Sequence, residues 1–320
     1  MINPKDPAQE NLFSRSMRQS LKVSWMMLQI YVPLSLLTIV LKQWGIIDAI
    51  APFFAPLMRL MGLPGEAALT LVAGFTNSIY AALATMAAFD LTPRQITILG
   101  VVLGLAHSLF IETAILSKLK MANVKIAFFR MGTAFLAGFL MNAFLPQNIN
   151  GVIMRHSSGQ ETFSWVHAFQ GLAMTSLQII LIISLLMVSY ELMALWKHSS
   201  AIKQKLKFIP NTIGLSDNAF APWIAGFFIG ITYSAAILYQ FMEHHRLSHK
   251  DACLVTVFLC LAHAILEDTM IFVIVGGNFW WIILTRVIVA FLVVRLLSIK
   301  DLYKNLLWIG LQKQTTAPPL

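Results

Sequence analysis

The chain has 320 residues, of which 58% are hydrophobic and only 12% charged, and its mean hydropathy is +0.74. Soluble domains carry about 25% charged residues, so this composition excludes a soluble globular fold and points to an integral membrane protein. The net charge of +9 is not the footprint of a nucleic-acid binder, because the Lys and Arg residues fall in short loops between apolar runs.

In chain order, residues 1–22 are polar and end in Arg15, Arg18 and Lys22, just before an apolar run at 23–43. That run is too long for a cleaved signal peptide and is read as a retained first span. A shorter run at 46–62 carries Asp48, Pro52, Pro56 and Arg59 and suits an interfacial helix. Long apolar runs follow at 66–89, 96–116, 124–144, 169–195, 222–242, 252–275 and 279–299. Cys253 and Cys260 share one of them, so no disulfide framework is implied and they are read as packing residues. The membrane domain is therefore 23–300, and 301–320 is a tail whose Leu306-Leu307-Trp308-Ile309 is too short to cross and resembles an interfacial anchor.

One stretch occurs twice. Leu105-Ala106-His107-Ser108-Leu109-Phe110-Ile111-Glu112-Thr113 returns 156 positions later as Leu261-Ala262-His263-Ala264-Ile265-Leu266-Glu267-Asp268-Thr269. The same gap-free shift pairs Gly74-x-Thr76-x-Ser78 with Gly230-x-Thr232-x-Ser234 and Arg130 with Arg286, and makes 18 of 67 positions identical from 74 to 140. Leucine matches mean little in so apolar a chain; the repeated Gly, hydroxyls, His, acid, Thr and Arg mark an internal duplication, with repeat cores at 66–145 and 222–300.

Charge decides the topology. If all eight long runs cross the bilayer, Lys and Arg divide 12 to 11 between the two sides, which is no bias. If 66–89 and 222–242 are re-entrant hairpins, the division becomes 18 inside to 5 outside, as the positive-inside rule requires. The expected fold is an all-α membrane protein with an inverted internal repeat, about six transmembrane helices plus two re-entrant hairpins, and both termini cytoplasmic. The hairpin midpoints fall at Asn77–Ser78 and at Thr232. An arm of about ten residues rises roughly 15 Å, half the hydrocarbon thickness, so both tips are expected near the midplane, level with His107 and His263.

His107, Glu112, His263, Glu267 and Asp268 are costly inside a membrane, where an acid at a helix centre costs about 3 kcal/mol and normally faces a cavity or pathway. On an unbroken helix, His107 and Glu112 stand roughly 140° apart, so either the helix breaks between them or they face different neighbours. His263 and Glu267, at i and i+4, are spaced so that they can touch. Arg130 and Arg286 open their spans, where interfacial snorkelling or pairing with an acid would each account for them. The set suits contacts to an organic solute with acids that take a coupling H+ or Na+, a transition-metal site, or a purely structural polar lock. No hydrolase, zinc-protease, P-loop or dinucleotide motif is present, so an enzyme is not expected.

The unit of a G-x-T-x-S hairpin followed by L-A-H-x4-[ED]-T resembles the Gate, or nucleoside-recognition, domain. That domain occurs in spore maturation proteins, ferrous-iron permeases and concentrative nucleoside transporters. The resemblance covers roughly 66–145 and 222–300 and implies a small-solute secondary transporter or permease. Its substrate site would take Thr76, Asn77, Ser78, His107, Glu112 and Thr113 from one repeat, and Thr232, Tyr233, Ser234, His263, Asp268 and Thr269 from the other. Glu267, Arg130 and Arg286 would serve ion coupling or charge pairing. The chain has no GTPase domain and lacks the extra helices of a full nucleoside transporter, so nucleosides are not implied by the domain's name. The alternatives are a non-transporting structural or regulatory membrane protein and a transition-metal permease. No cofactor is expected. The expected partners are the lipid bilayer of a bacterial inner membrane and a small solute, with self-association left open.

Overall fold

The computed structural model describes residues 12–117, 119, 121–149, 164–196, 212–244, 246–299 and 302–306, and every regular element among them is helical. In chain order these are α1 (Leu12–Gln43), α2 (Ile46–Leu60), α3 (Ala67–Thr76), α4 (Ile79–Met86), α5 (Pro93–Ala106), α6 (Leu109–Ser117) and α7 (Asn123–Phe144). They continue with α8 (Trp165–Trp196), α9 (Phe220–Ile229), α10 (Ile231–Glu243), α11 (His249–Ala262), α12 (Ile265–Ile274) and α13 (Phe279–Ile299). Residues 197–207, which carry Lys197, Lys203, Lys205 and Lys207, and the Trp308 anchor lie outside the described residues.

Six segments are long and apolar enough to cross a bilayer: Ser16–Gln43, Pro93–Ile115, Val124–Phe144, Trp165–Ser189, His249–Ile274 and Phe279–Ile299. The second is α5 running into α6, and the fifth is α11 running into α12. Protein buries 67% and 72% of these two interrupted spans, against 22–33% of the other four. The interrupted spans therefore form the centre, and the others face lipid with side chains such as Phe139, Leu181 and Leu292. Helix α1 starts eleven residues before the expected span and packs on α8 through small hydroxyl residues, with Ser184 donating to Ser20 at 3.1 Å, the kind of contact that lets membrane helices approach closely. At 15 residues, α2 is too short to span. It exposes Phe53 and Leu57, and Lys42 at the end of α1 pairs with its Asp48 at 2.6 Å.

The two expected hairpins are present. In α3–α4 the Thr85 hydroxyl donates to that of Thr70 at 3.0 Å, and in α9–α10 the Ser234 hydroxyl donates to Pro222 O at 2.7 Å. Each bond joins residues 12 to 15 positions apart, which only an antiparallel return of the chain allows.

Equivalent helices of the two repeats run in opposite directions. Along α5 and α13, Thr97 meets Asn278, Gly100 faces Ile282 and Gly104 faces Arg286, so these two helices run parallel. The start of α11 instead lies at the far end of α13: Cys253 contacts Tyr303, while Gly214 faces Ser298 and Ser216 bonds Asp251. Helix α11 is thus antiparallel to α13, and so to its own counterpart α5. The first hairpin returns to the end where α5 begins, beside Gly62, Arg94 and Asn142. The second returns to the opposite end.

The gap-free register fails inside the hairpins. Ser78 begins α4 with φ −161° and ψ 166°, and the residue that begins α10 in the same way is Gly230, with φ 128° and ψ 164°. Likewise Gly74 and Gly226, not Gly230, hold the same place: a Cβ on either would strike the equivalent leucine of the next helix, Leu103 or Leu259. The hairpins thus correspond at a shift of 152 and the helices after them at 156. Helix α10 has 13 residues against 8 in α4 and carries the extra turn. The second tip is therefore at Ile229–Gly230, and Thr232, Tyr233 and Ser234 lie one turn beyond it.

Candidate functional site

Both interrupted spans break at the histidine of the repeated motif. His107 is extended (φ −68°, ψ 166°) and Ser108 is left-handed (φ 49°). His263 is extended (φ −95°, ψ 167°) and Ala264 is left-handed (φ 40°). A left-handed non-glycine residue costs roughly 1–2 kcal/mol, and an interrupted helix leaves carbonyls and amides unpaired in a medium without water. The surroundings satisfy them. Ser108 N–H donates to Gly74 O at 2.9 Å and Ala264 N–H to Gly226 O at 3.2 Å, so each hairpin is stitched to the break of its own repeat. The Ser108 hydroxyl donates to Asn77 O at 2.7 Å.

The two arginines take the carbonyls at the broken C-termini. Arg130 donates to Leu105 O at 3.2 Å and His107 O at 3.1 Å, and Arg286 donates to His263 O at 3.0 Å. A cation at a helix C-terminus also meets the negative end of the helix dipole. Both side chains are 0% exposed, which rules out the interfacial reading. Arg286 can enter because residue 104 is glycine, where a Cβ would stand 2.5 Å from Arg286 Cδ.

The acids start the second half-helices, at the positive end of the dipole. Arg130 Nη1 lies 2.7 Å from Glu112 Oε2, and Arg286 Nη2 lies 2.8 Å from Asp268 Oδ2. The break turns His107 and Glu112 toward each other, with His107 Nε2 3.1 Å from Glu112 Oε1. His263 Nε2 lies 3.3 Å from that same oxygen, and the two imidazole centroids are 4.9 Å apart. His263 therefore reaches the acid of the other repeat and not Glu267, which the i, i+4 spacing also allowed. Glu267 turns instead to Tyr80 of the first hairpin, whose hydroxyl donates to it at 3.0 Å.

The remaining candidates divide. Thr113 bonds back to Leu109 O within its own helix, and Thr269 is fully buried. Thr76 and Asn77 are exposed at the first tip, and Ser78 caps α4 through Ala81 N–H at 3.2 Å. Tyr233 is exposed and Ser234 is spent closing its hairpin; at Thr232 only the backbone is described. Sequence reasoning missed Tyr80 and Gly104, neither of which recurs at the shift of 156, where Ala236 and Cys260 stand.

Six spans, two hairpins and a buried ionic cluster at paired helix breaks define a polytopic helical membrane protein with its polar centre between two repeats. Residues 24–122, from α1 to the end of the first repeat's broken helix, match the family model Gate, described as nucleoside recognition. Over 291 residues the chain is 26% identical to the uncharacterized membrane protein YvoD of Bacillus subtilis (strain 168), covering 88% of this chain and 93% of that protein. No solved structure matches.

Proposed function

We propose that the protein is a secondary transporter or permease of the bacterial inner membrane, carrying a small solute through the His107–Glu112–His263 centre between its two repeats. One observation carries this reading: each repeat brings a helix break, stitched to its own hairpin, to one buried place, from opposite ends of the molecule. Interrupted helices in antiparallel repeats are how alternating-access carriers build a site near the midplane, and intramembrane ionisable groups mark solute and ion pathways. Backbone strain of this kind persists where it serves a site.

The test is a melting scan of detergent-purified protein against nucleosides, nucleobases, amino acids, carboxylates and divalent metal ions. A ligand at 100 times its Kd stabilises by about 2.7 kcal/mol when it binds only the folded form. The transporter reading expects one class to shift the melting point, and the shift to vanish in His107→Ala and His263→Ala. A non-transporting structural or regulatory protein gives no shift with any class, while the same substitutions lower the melting point.

A further inference from the structure

We infer that His107 Nε2, Glu112 Oε1 and His263 Nε2 form a binding site for one divalent transition-metal ion, open at a fourth position. The inference rests on the transport reading for the fate of the ion, and it names the solute class of that site.

His107 Nδ1 lies 2.9 Å from Leu103 O, and His263 Nδ1 lies 2.7 Å from Leu259 O. A carbonyl only accepts, so each Nδ1 carries a hydrogen, and in the neutral ring each Nε2 is left with a lone pair. Both lone pairs point at Glu112 Oε1, which as a carboxylate oxygen also only accepts. Three acceptors converging in a buried site need an electrophile between them.

The distances fit a metal ion between them. The observed separations are 3.1 and 3.3 Å. Ligands about 2.0–2.1 Å from a tetrahedral metal stand roughly 3.3–3.4 Å apart, and all three atoms lie within 4.8 Å of one another. One dication between them would satisfy all three lone pairs.

The surroundings are those of a metal site. Ligand histidines characteristically donate their other N–H to a carbonyl or carboxylate, as both do here. Arg130 holds Oε2 at 2.7 Å and leaves Oε1 free as a monodentate ligand. Two imidazoles and a carboxylate suit zinc, iron, nickel or copper better than calcium or magnesium, and three protein ligands leave a position open for exchange. Among the described residues no other group of His, Cys, Asp and Glu converges this way. The repeat does not build a second site: both imidazoles converge on Glu112 Oε1, and Asp268, one methylene shorter, pairs with Arg286.

The test uses the full-length protein, stripped with a chelator and titrated with Co2+ while visible absorption is recorded, and separately with Zn2+ by calorimetry. His263→Asn keeps an amide N–H for Leu259 O but removes the ligand nitrogen; Glu112→Gln removes the anionic ligand. Wild type is expected to show the intense visible bands of four-coordinate cobalt, saturating at a single ion per chain and unaffected by Ca2+ or Mg2+. Both variants are expected to lose the bands and weaken Zn2+ binding beyond the 10–100-fold that loss of an outer-shell partner costs. Their folding is checked by a cooperative melt, and His107→Asn, with its own link to Leu103 O kept, replaces either variant that fails it. Wild type that melts cooperatively yet shows neither cobalt bands nor zinc heat overturns the site, as does retention of both in a folded variant. Uptake of Zn2+ into proteoliposomes separates the two readings: binding without flux keeps the metal site and rejects transport. Flux of an organic solute without metal binding rejects the metal site and keeps transport.

Discussion

Ser78 and Gly230 do the same work in their two hairpins. Each begins the second arm from an extended backbone with ψ near 165° (166° and 164°), although the gap-free repeat sets Ser78 against Ser234. The first tip keeps a side chain that caps its helix; the second uses a glycine at φ 128°, a conformation other residues rarely adopt.

Ser234 is therefore expected to act on stability and not on ligands. Ser234→Ala removes one buried hydrogen bond, to Pro222 O, at a cost of about 0.5–1.5 kcal/mol, and leaves any solute-induced melting shift intact. Loss of that shift at normal stability would put Ser234 back in the site.

The Arg286–Asp268 pair makes a second prediction. Arg286→Met leaves a buried carboxylate without its partner, at a cost of about 3–5 kcal/mol. Adding Asp268→Leu removes the stranded charge and is expected to recover most of that loss, since apolar pairs replace buried ion pairs at little or no cost. A double-mutant melting cycle measures the coupling; additive losses would contradict the pairing.

Gly104 tests how the repeats meet. Gly104→Ala places a methyl group against Arg286 Cδ, Nε and Cζ, and overpacking of this kind costs about 1–3 kcal/mol. The same substitution at Gly132, where nothing stands within 4 Å, is expected to be neutral or mildly stabilising, as Gly→Ala in a helix usually is. Equal melting points for the two variants would contradict the close approach of α13 to α5.

Much of the site was legible because its residues are expensive. His107, Glu112, His263, Asp268, Arg130 and Arg286 stand out from apolar runs and recur at one shift, and the charge count favoured two hairpins. What stayed hidden has physical reasons. The extra residues of α10 amount to about one helical turn, so sliding the hairpins out of register preserved their apolar face and even produced a false G-x-T-x-S match. Tyr80 and Gly104 are not repeated, and an aromatic or a glycine in a membrane helix is unremarkable by itself. The crossing of His263 to Glu112 depends on two left-handed residues, Ser108 and Ala264, whose types do not announce that conformation. A slide allowing a four-residue gap would have paired Gly74 with Gly226.

Topology offers a further check. A cysteine placed at Asn123 is expected to label from the cytoplasm and one at Gly277 from outside, with Cys253 and Cys260 contributing little because both are buried. Labelling of both new cysteines from the same side would contradict the opposed repeats.

Flux through the central cluster tests the account most directly. Purified protein is reconstituted in liposomes, with Zn2+ entry read by a trapped fluorescent chelator and radiolabelled uridine followed in parallel. The account predicts that wild type moves one of these solutes well above empty liposomes, and that His263→Asn, folded and incorporated to the same level, does not. Equal flux in wild type and variant, or none in either for a solute that binds, would contradict it.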